Sequence, residues 1–171
     1  MRTLDTIRDR FRPAARRTRQ ALLWCAALAA CGPLPRDQHR STEEARANRR
    51  LVVGVPAASP TLDPAVQARE RALVAEVARR LGVAVEWRQG DAHELLSRLE
   101  QWELPIVAAA VTPETPFRAH VGLSKPYWKD GPGHRDYVLA VAPGENALLL
   151  LVDRVIADDE ARRRASAEGG R

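Results

Sequence analysis

The stretch LVVGVP at residues 51–56 is a short apolar run, rich in β-branched residues, that ends in proline. Such a run predicts a buried strand, because β-branched side chains suit a pleated sheet and proline cannot continue its hydrogen-bond ladder. Asp63-Pro64 follows as a helix start, with the aspartate as N-cap and the proline in the first turn. Gly82 ends this helix, and residues 83–87, apolar except for Glu86, form a second strand.

The same alternation continues along the chain. Asp91 opens a second helix, residues 104–111 form a third strand, and Thr112 is expected to start another helix at the end of that strand. Residues 137–141 and 146–156 follow as a strand and a helix. The order strand–helix–strand–helix–strand predicts a parallel sheet with right-handed crossovers. The fold class is therefore α/β, a single doubly wound lobe with a mainly parallel sheet and helices on both faces.

Residues 21–30 form an uncharged run with three arginines just upstream, at positions 16, 17 and 19. A membrane-spanning helix needs roughly 20 apolar residues, so this run is too short to span. It fits the apolar region of a secretory signal instead. The alternative is a buried helix of a cytosolic protein. The domain organisation that follows is a signal (1–30), a flexible tether (31–49), a lobe (50–158) and a charged C-terminal tail (159–171) that frays.

The signal also accounts for the net charge. The chain has 27 basic and 22 acidic residues, a net of +5. Seven arginines and two aspartates lie within residues 1–31, so residues 36–171 are balanced at 20 of each sign. Nucleic acid therefore loses its support as a partner. For residues 32–49 the alternative to a tether is a solvated helix from Ser41 to Arg50.

The residues offer no catalytic or metal-binding pattern. The histidines are scattered at positions 39, 93, 120 and 134, and none has metal-ligand spacing to another histidine or cysteine. After Cys31 the chain contains no cysteine, which leaves no disulfide or thiolate site. Ser124 has no convincing base nearby in sequence. We therefore predict no enzyme activity, no catalytic residue, no cofactor and no metal.

The end of the apolar run, Leu28-Ala29-Ala30-Cys31, resembles the bacterial lipobox. In that motif the signal is cut before the cysteine, and the cysteine thiol carries a lipid. The resemblance implies lipidation at Cys31, membrane attachment through that lipid, and a location on the periplasmic side of a bacterial membrane.

Four segments together resemble the family-three solute-binding proteins, the amino-acid-binding components of ABC importers. They are residues 51–55, 78–83, 106–114 with Thr112-Pro113-Glu114, and LSKPY at 123–127, which matches the family's apolar-Ser-x-Pro-Tyr pattern. The family has two lobes. Here only residues 128–135 precede a segment, 136–146, similar to the one by which family members return from the second lobe. The resemblance implies a first lobe with the second lobe missing.

The carboxyl ends of parallel strands are where an open α/β sheet gathers ligands. They correspond here to residues 58–62, to 110–112, and to Ser124 with Tyr127. Thr112 offers a hydroxyl, and the N–H groups of the turn after it favour an anion. The family usually places an arginine three residues after the matching threonine, to grip the ligand carboxylate. This chain has Thr115 there, and Arg118 is the candidate substitute.

Each candidate also has a structural interpretation. Thr112 is alternatively a helix cap, and Arg118 a solvated surface charge. Tyr127 and Trp128 are alternatively packed against the sheet edge, or they mark a protein-binding patch.

Two functions follow from the resemblance. The first is a lipid-anchored solute-binding-like protein linked to ABC-type import of a small polar solute such as an amino acid. The second is a degenerate module that no longer binds solute and serves a permease or sensor subunit. A ligand binder predicts a concave site with unpaired polar groups at Thr112, Ser124 or Arg118. An interaction module predicts a flat apolar patch around Tyr127 and Trp128.

Overall fold

The computed structural model describes residues 36–57, 63–129 and 135–169. The predicted signal, Cys31 and the loop 58–62 lie outside these residues. Within them, no helix is both long and apolar enough to cross a membrane. The helices are α1 (Ser41–Ala47), α2 (Pro64–Leu81), α3 (Ala92–Glu100) and α4 (Asn146–Gly169), and a 3-10 helix spans Pro116–Ala119. The strands are β1 (Arg50–Pro56), β2 (Ala84–Gly90), β3 (Ile106–Val111), β4 (Gly122–Leu123), β5 (Trp128–Lys129) and β6 (Asp136–Val141).

The strands form one sheet in the order β2-β1-β3-β6-β4, with β5 also paired to β6. β1 is parallel to both β2 and β3, and its register with β2 runs from Arg50 opposite Ala84 to Pro56 opposite Gly90. β6 is antiparallel to β3, β4 and β5. The predicted single α/β lobe is therefore confirmed, and its parallel part consists of the first three strands.

The core lies on both faces of the sheet. Helices α2 and α4 cover one face, and α3 covers the other, so the predicted helices on both faces are also confirmed. Fully buried residues of the first face include Leu51, Val53, Val74, Val77, Leu148 and Ile156. Those of the second face include Leu95, Leu99, Val107, Val138 and Ala140. Burial of apolar surface on two sides explains why the central strands are continuous apolar runs.

The predicted start and end of α2 and the predicted start of α3 are correct. The Asp63 carboxylate accepts a hydrogen bond from the Ala65 N–H at 2.8 Å. Gly82 adopts the left-handed conformation, with φ 74°. Glycine takes this conformation at little cost, so Gly82 ends α2. The Asp91 carboxylate accepts from the N–H of His93 at 2.9 Å and caps α3.

The helix expected to begin at Thr112 is absent, and this prediction is wrong. The Thr112 carbonyl instead accepts from the N–H of Thr115 at 3.0 Å, which makes a turn. An α-helix from Thr112 needs the N–H of residue 116 to bond back to that carbonyl, and Pro116 has none. Thr115 caps the 3-10 helix that follows, and its hydroxyl accepts from the Phe117 N–H at 3.4 Å.

The second half of the predicted tether is folded onto the lobe. Residues 41–47 form α1, so over this range the structure shows the helix alternative rather than a flexible segment. This helix is also not fully solvated, because Thr42 and Ala45 are buried.

Two carboxylates exchange the caps of α1 and α4. Asp37, which precedes α1, accepts from the N–H of Thr42 at 3.0 Å and from the N–H of Leu148 in α4 at 2.9 Å. Glu145, which precedes α4, accepts from the N–H groups at positions 39 and 41 at 2.6 and 2.8 Å. Each acid thus satisfies free N–H groups at the start of the other helix, which attaches residues 37–47 to the lobe.

Helix α4 continues to Gly169, well past the expected helical segment 146–156. Its charged end is organised by ion pairs one turn apart, such as Arg163 Nε to Asp159 Oδ2 at 2.9 Å. It is also bound to α2, where Arg80 contacts Asp158 at 2.7 Å and Arg69 contacts Asp159 at 3.0 Å. These contacts explain why residues 157–169 are helical rather than frayed.

Candidate functional site

The carboxyl ends of β1, β2 and β3 meet at one edge of the sheet, as their parallel pairing requires. Pro56 and Gly90 end β1 and β2 side by side. Val111 ends β3 opposite Val138 of the antiparallel β6, so β6 begins at this edge. This is the edge where open α/β sheets place ligands.

Thr112 lies at this edge, and Arg118 follows it by six residues along the chain. Thr112 directly follows β3 and is partly exposed. Arg118 lies in the 3-10 helix with its side chain in solvent, and it pairs with no carboxylate among the described residues. One turn of chain joins the two, with Thr115 buried between them. Both side chains are accessible to a solute, and their predicted ligand role stays a prediction.

Ser124 is buried and its hydroxyl is fully engaged. The hydroxyl donates to the Lys125 carbonyl at 2.8 Å and accepts from the Leu139 N–H at 2.9 Å. These bonds hold the chain after β4 against β6. The serine of the apolar-Ser-x-Pro-Tyr pattern therefore supports the strand pairing here, and its contacts add no support for the predicted ligand role.

Tyr127 is also buried, with 2% of its surface exposed. Its hydroxyl donates to Glu70 Oε1 at 2.7 Å. The interpretation of Tyr127 as packed against the sheet thus has the contacts in its favour. Trp128 beside it is half-buried, so the two do not form a flat apolar patch.

Glu70 is a further residue near this edge, and no motif in the sequence marks it. It lies on the buried face of α2 with 3% exposed surface. Besides the Tyr127 hydroxyl, its Oε1 accepts the N–H of Ala110 at 2.8 Å. Ala110 has φ 47°, and the pairing of β3 with β6 shifts register between Val107 and Val111. Glu70 therefore secures an irregular turn of β3 just before Thr112.

The environment of Glu70 changes its acidity. Burial raises the pKa of the Glu70 carboxyl, and the hydrogen bonds from Tyr127 and Ala110 lower it in part. Burial, followed by the nearby Glu70 charge, raises the pKa of the Tyr127 hydroxyl, so the phenol stays protonated as a donor. Glu70 also lines a cavity of about 20 Å³ at the end of β1, shared with Pro56, Gln67 and Arg71. That volume suits about one water molecule.

A signal for Glu70 does exist in the sequence. Its position follows Val66 by four residues and precedes Leu73 and Val77 by three and seven. These are the spacings of the buried face of a helix. A charged residue on that face must find partners, and those partners are distant in sequence.

No metal centre is found among the described residues. Within residues 36–57, 63–129 and 135–169, no group of three His, Cys, Asp or Glu side chains is placed to hold a metal ion.

Comparison with known proteins identifies the fold. No protein-family model and no curated protein matches the chain. Among solved structures, the chain resembles the arginine-bound form of domain 1 from TmArgBP, with TM-score 0.58 and 24% identity over 67% of this chain and 97% of that one. A mutant of the same arginine-bound domain gives TM-score 0.61 and 23% identity, over 70% of this chain and 98% of that one. The ancestral amino-acid-binding protein AncCDT-1, a precursor of cyclohexadienyl dehydratase, gives TM-score 0.58 and 14% identity, over 71% and 94%. The lobe therefore has the fold of domain 1 of an amino-acid-binding protein.

Proposed function

We propose that the protein is a solute-binding-like lobe that takes a small polar solute, such as an amino acid, without catalysis. The observation that carries the proposal is the match to nearly the whole of an isolated domain 1 that was solved with arginine bound. That neighbour is a single domain, so its bound arginine does not require a complete second lobe. The same fold in this chain supports binding by one lobe.

The solute is proposed to bind at the carboxyl edge of the sheet. Arg118, six residues after Thr112, has an exposed guanidinium that can grip a carboxylate with two hydrogen bonds. Thr112 can contribute its hydroxyl. Ser124 and Tyr127 hold the strands behind this edge through their internal hydrogen bonds.

Calorimetry against an amino-acid panel, with arginine first, tests the proposal. We expect saturable binding of at least one amino acid, and a dissociation constant below about 10 μM corresponds to roughly 7 kcal/mol from one lobe. Arg118→Gln is expected to weaken binding about tenfold through loss of charge-assisted hydrogen bonds. Arg98→Gln is the matched control, because Arg98 is a surface arginine of α3, away from the 3-10 helix of Arg118, and contacts Glu103 at 3.0 Å. Absence of binding across the panel contradicts the proposal.

The competing function is a degenerate interaction module for a transporter or sensor. It requires an apolar surface around Tyr127 and Trp128. Burial of Tyr127 favours solute binding over this alternative. A permease or sensor subunit that co-purifies with the protein while no amino acid binds would reverse the preference.

We also propose that the mature protein is attached to the periplasmic side of a bacterial membrane by a lipid on Cys31, beside an ABC permease. The lipobox-like sequence supports this location. Cys31→Ser is expected to move the protein from the membrane fraction to the soluble fraction. Cys25→Ser, inside the predicted signal, is the matched control and leaves the protein in membranes. A Cys31→Ser protein that stays membrane-bound contradicts lipid anchoring.

A further inference from the structure

A wide groove lies between α2, the start of β5 and the C-terminal half of α4, formed by residues other than Thr112 and Arg118. It encloses about 400 Å³ and is lined by Arg69, Tyr127, Trp128, Glu160, Arg163 and Arg164. Three of these six side chains are arginines from two helices. The groove is open to solvent, so a ligand attached to a larger molecule can reach it.

The groove has more positive than negative charge. Arg69, Arg162 and Arg163 all contact the single carboxylate of Asp159, at 3.0, 3.7 and 2.9 Å. Arg164 contacts Glu160 at 3.4 Å. Among the residues that line the groove, three guanidinium groups, those of Arg69, Arg163 and Arg164, thus share two carboxylates. The cluster keeps unused donors, because each guanidinium carries five N–H groups.

Arg69 is the most constrained of these arginines. Its side chain is 11% exposed, and its Nε is buried without a hydrogen-bond partner among the described residues. Arg69 and Arg163 both bond to the same oxygen, Asp159 Oδ2, which brings two positive charges close together. Burial, and then repulsion from Arg163, lowers the pKa of Arg69. A second anion, bound in the groove beside these guanidiniums, would supply further acceptors and offset this repulsion.

Trp128 provides a flat wall beside the arginines. The Arg69 Cζ lies 5.8 Å from the centre of the Trp128 ring, within the range of a cation–π contact. The ring is half-buried and so held in place. An aromatic wall next to guanidinium donors can report on a bound anion and can contact an organic group attached to it.

We infer that this groove binds a phosphate group, held by Arg163, Arg164 and Arg69 and bordered by Trp128. A phosphate suits two or three guanidiniums better than a carboxylate does, because it presents more acceptor oxygens. The phosphate can be free or part of a phospholipid headgroup, and both sources present the same oxyanion. This site is separate from the proposed solute site.

Titration of the purified protein with inorganic phosphate at constant ionic strength tests the inference. Binding is measured by calorimetry and by tryptophan fluorescence. We expect saturable binding that Arg163→Gln or Arg164→Gln weakens about tenfold, as for the loss of a charge-assisted hydrogen bond. Arg162→Gln is the matched control, because it removes the same charge one residue away without lining the groove. Its effect is expected to stay below about twofold, because Arg162 does not line the groove and a charge that acts on the anion only through solvent is screened. Trp128→Phe should abolish the fluorescence change.

A second arm distinguishes the two sources of phosphate. The same variants are made in a Cys31→Ser background, because that substitution removes the proposed lipid anchor. Each protein is then sedimented with phosphatidylcholine vesicles that contain or lack phosphatidylglycerol. Vesicle binding that depends on phosphatidylglycerol and on Arg163 supports a lipid headgroup, whereas binding of inorganic phosphate alone supports a free phosphate. Binding to neither probe overturns the inference, and so does an equal loss in Arg162→Gln. Arg118→Gln leaves this site intact, so failure of the solute proposal is distinguishable.

Discussion

Tyr127→Phe isolates one buried hydrogen bond while it keeps the ring. The hydroxyl that is lost donates to Glu70 Oε1 at 2.7 Å. Both residues are almost fully buried, so bulk water has little access to the position that the hydroxyl leaves. In Tyr127→Phe, the Ala110 N–H, at 2.8 Å, is the donor to Glu70 Oε1 that remains among the described residues.

The expected cost depends on the charge of Glu70. A hydrogen bond to an ionised group contributes about 1.5–3 kcal/mol, and one between neutral groups about 0.5–1.5 kcal/mol. For a domain of roughly 125 residues, the usual unfolding entropy makes each kcal/mol worth about 4 °C in melting temperature. Tyr127→Phe should therefore lower the melting temperature by about 6–12 °C where Glu70 is ionised.

Denaturant unfolding of the wild type and of Tyr127→Phe across pH 4–8 measures the difference in their free energies of unfolding. The free-energy difference should be larger at high pH, because the Tyr127 hydroxyl lowers the pKa of Glu70 by favouring its charged form. In a Glu70→Gln background the same substitution should cost only about 0.5–1.5 kcal/mol at every pH. A loss below about 0.5 kcal/mol at pH 8, or a loss that Glu70→Gln leaves unchanged, would contradict a charge-assisted hydrogen bond from Tyr127 to Glu70.

Three further predictions concern substitutions of carboxylates. Glu70→Gln should remove a pH dependence of the unfolding free energy, which denaturant midpoints can follow. The folded pKa of Glu70 is raised above 4.5. Its contribution to stability is therefore fully present below that pH and is lost as the pH rises through the folded pKa. Glu76→Gln should remove a pH dependence of the opposite sign, because hydrogen bonds from Arg79 and Arg80 lower the pKa of Glu76 to about 2. The contribution of Glu76 to stability is therefore present above pH 4.5 and is lost as the pH falls. At this surface site, with its exposed partner Arg79, we expect that contribution to be at most about 1 kcal/mol. Glu145→Ala should cost about 2–3 kcal/mol, because it leaves two N–H groups at the start of α1 without acceptors. Trypsin should then cleave residues 36–49 faster than in the wild type, whereas an unchanged cleavage rate contradicts the cap exchange.

The sequence predicts the order and type of the main elements because their signals are local. A β-branched run, an aspartate before a helix, and a glycine after one each act within a few residues of themselves. The one helix predicted wrongly, at Thr112, had its contrary signal nearby in Pro116. Glu70 likewise stood at a core position of α2, so its burial could be read from spacing although its partners could not.

What the sequence alone determined about this protein is the α/β lobe, its parallel central strands and the edge where their carboxyl ends meet. The tertiary structure alone decided what individual side chains do at that edge. Tyr127 meets Glu70 across 57 positions, and Glu145 caps a helix more than 100 positions away. The Ser124 hydroxyl accepts a hydrogen bond from the backbone of β6. Arg69 and Arg163, from different helices, contact the same carboxylate. Such contacts join residues far apart in the chain. Local sequence patterns cannot predict them, because they form only when the helices and strands pack together.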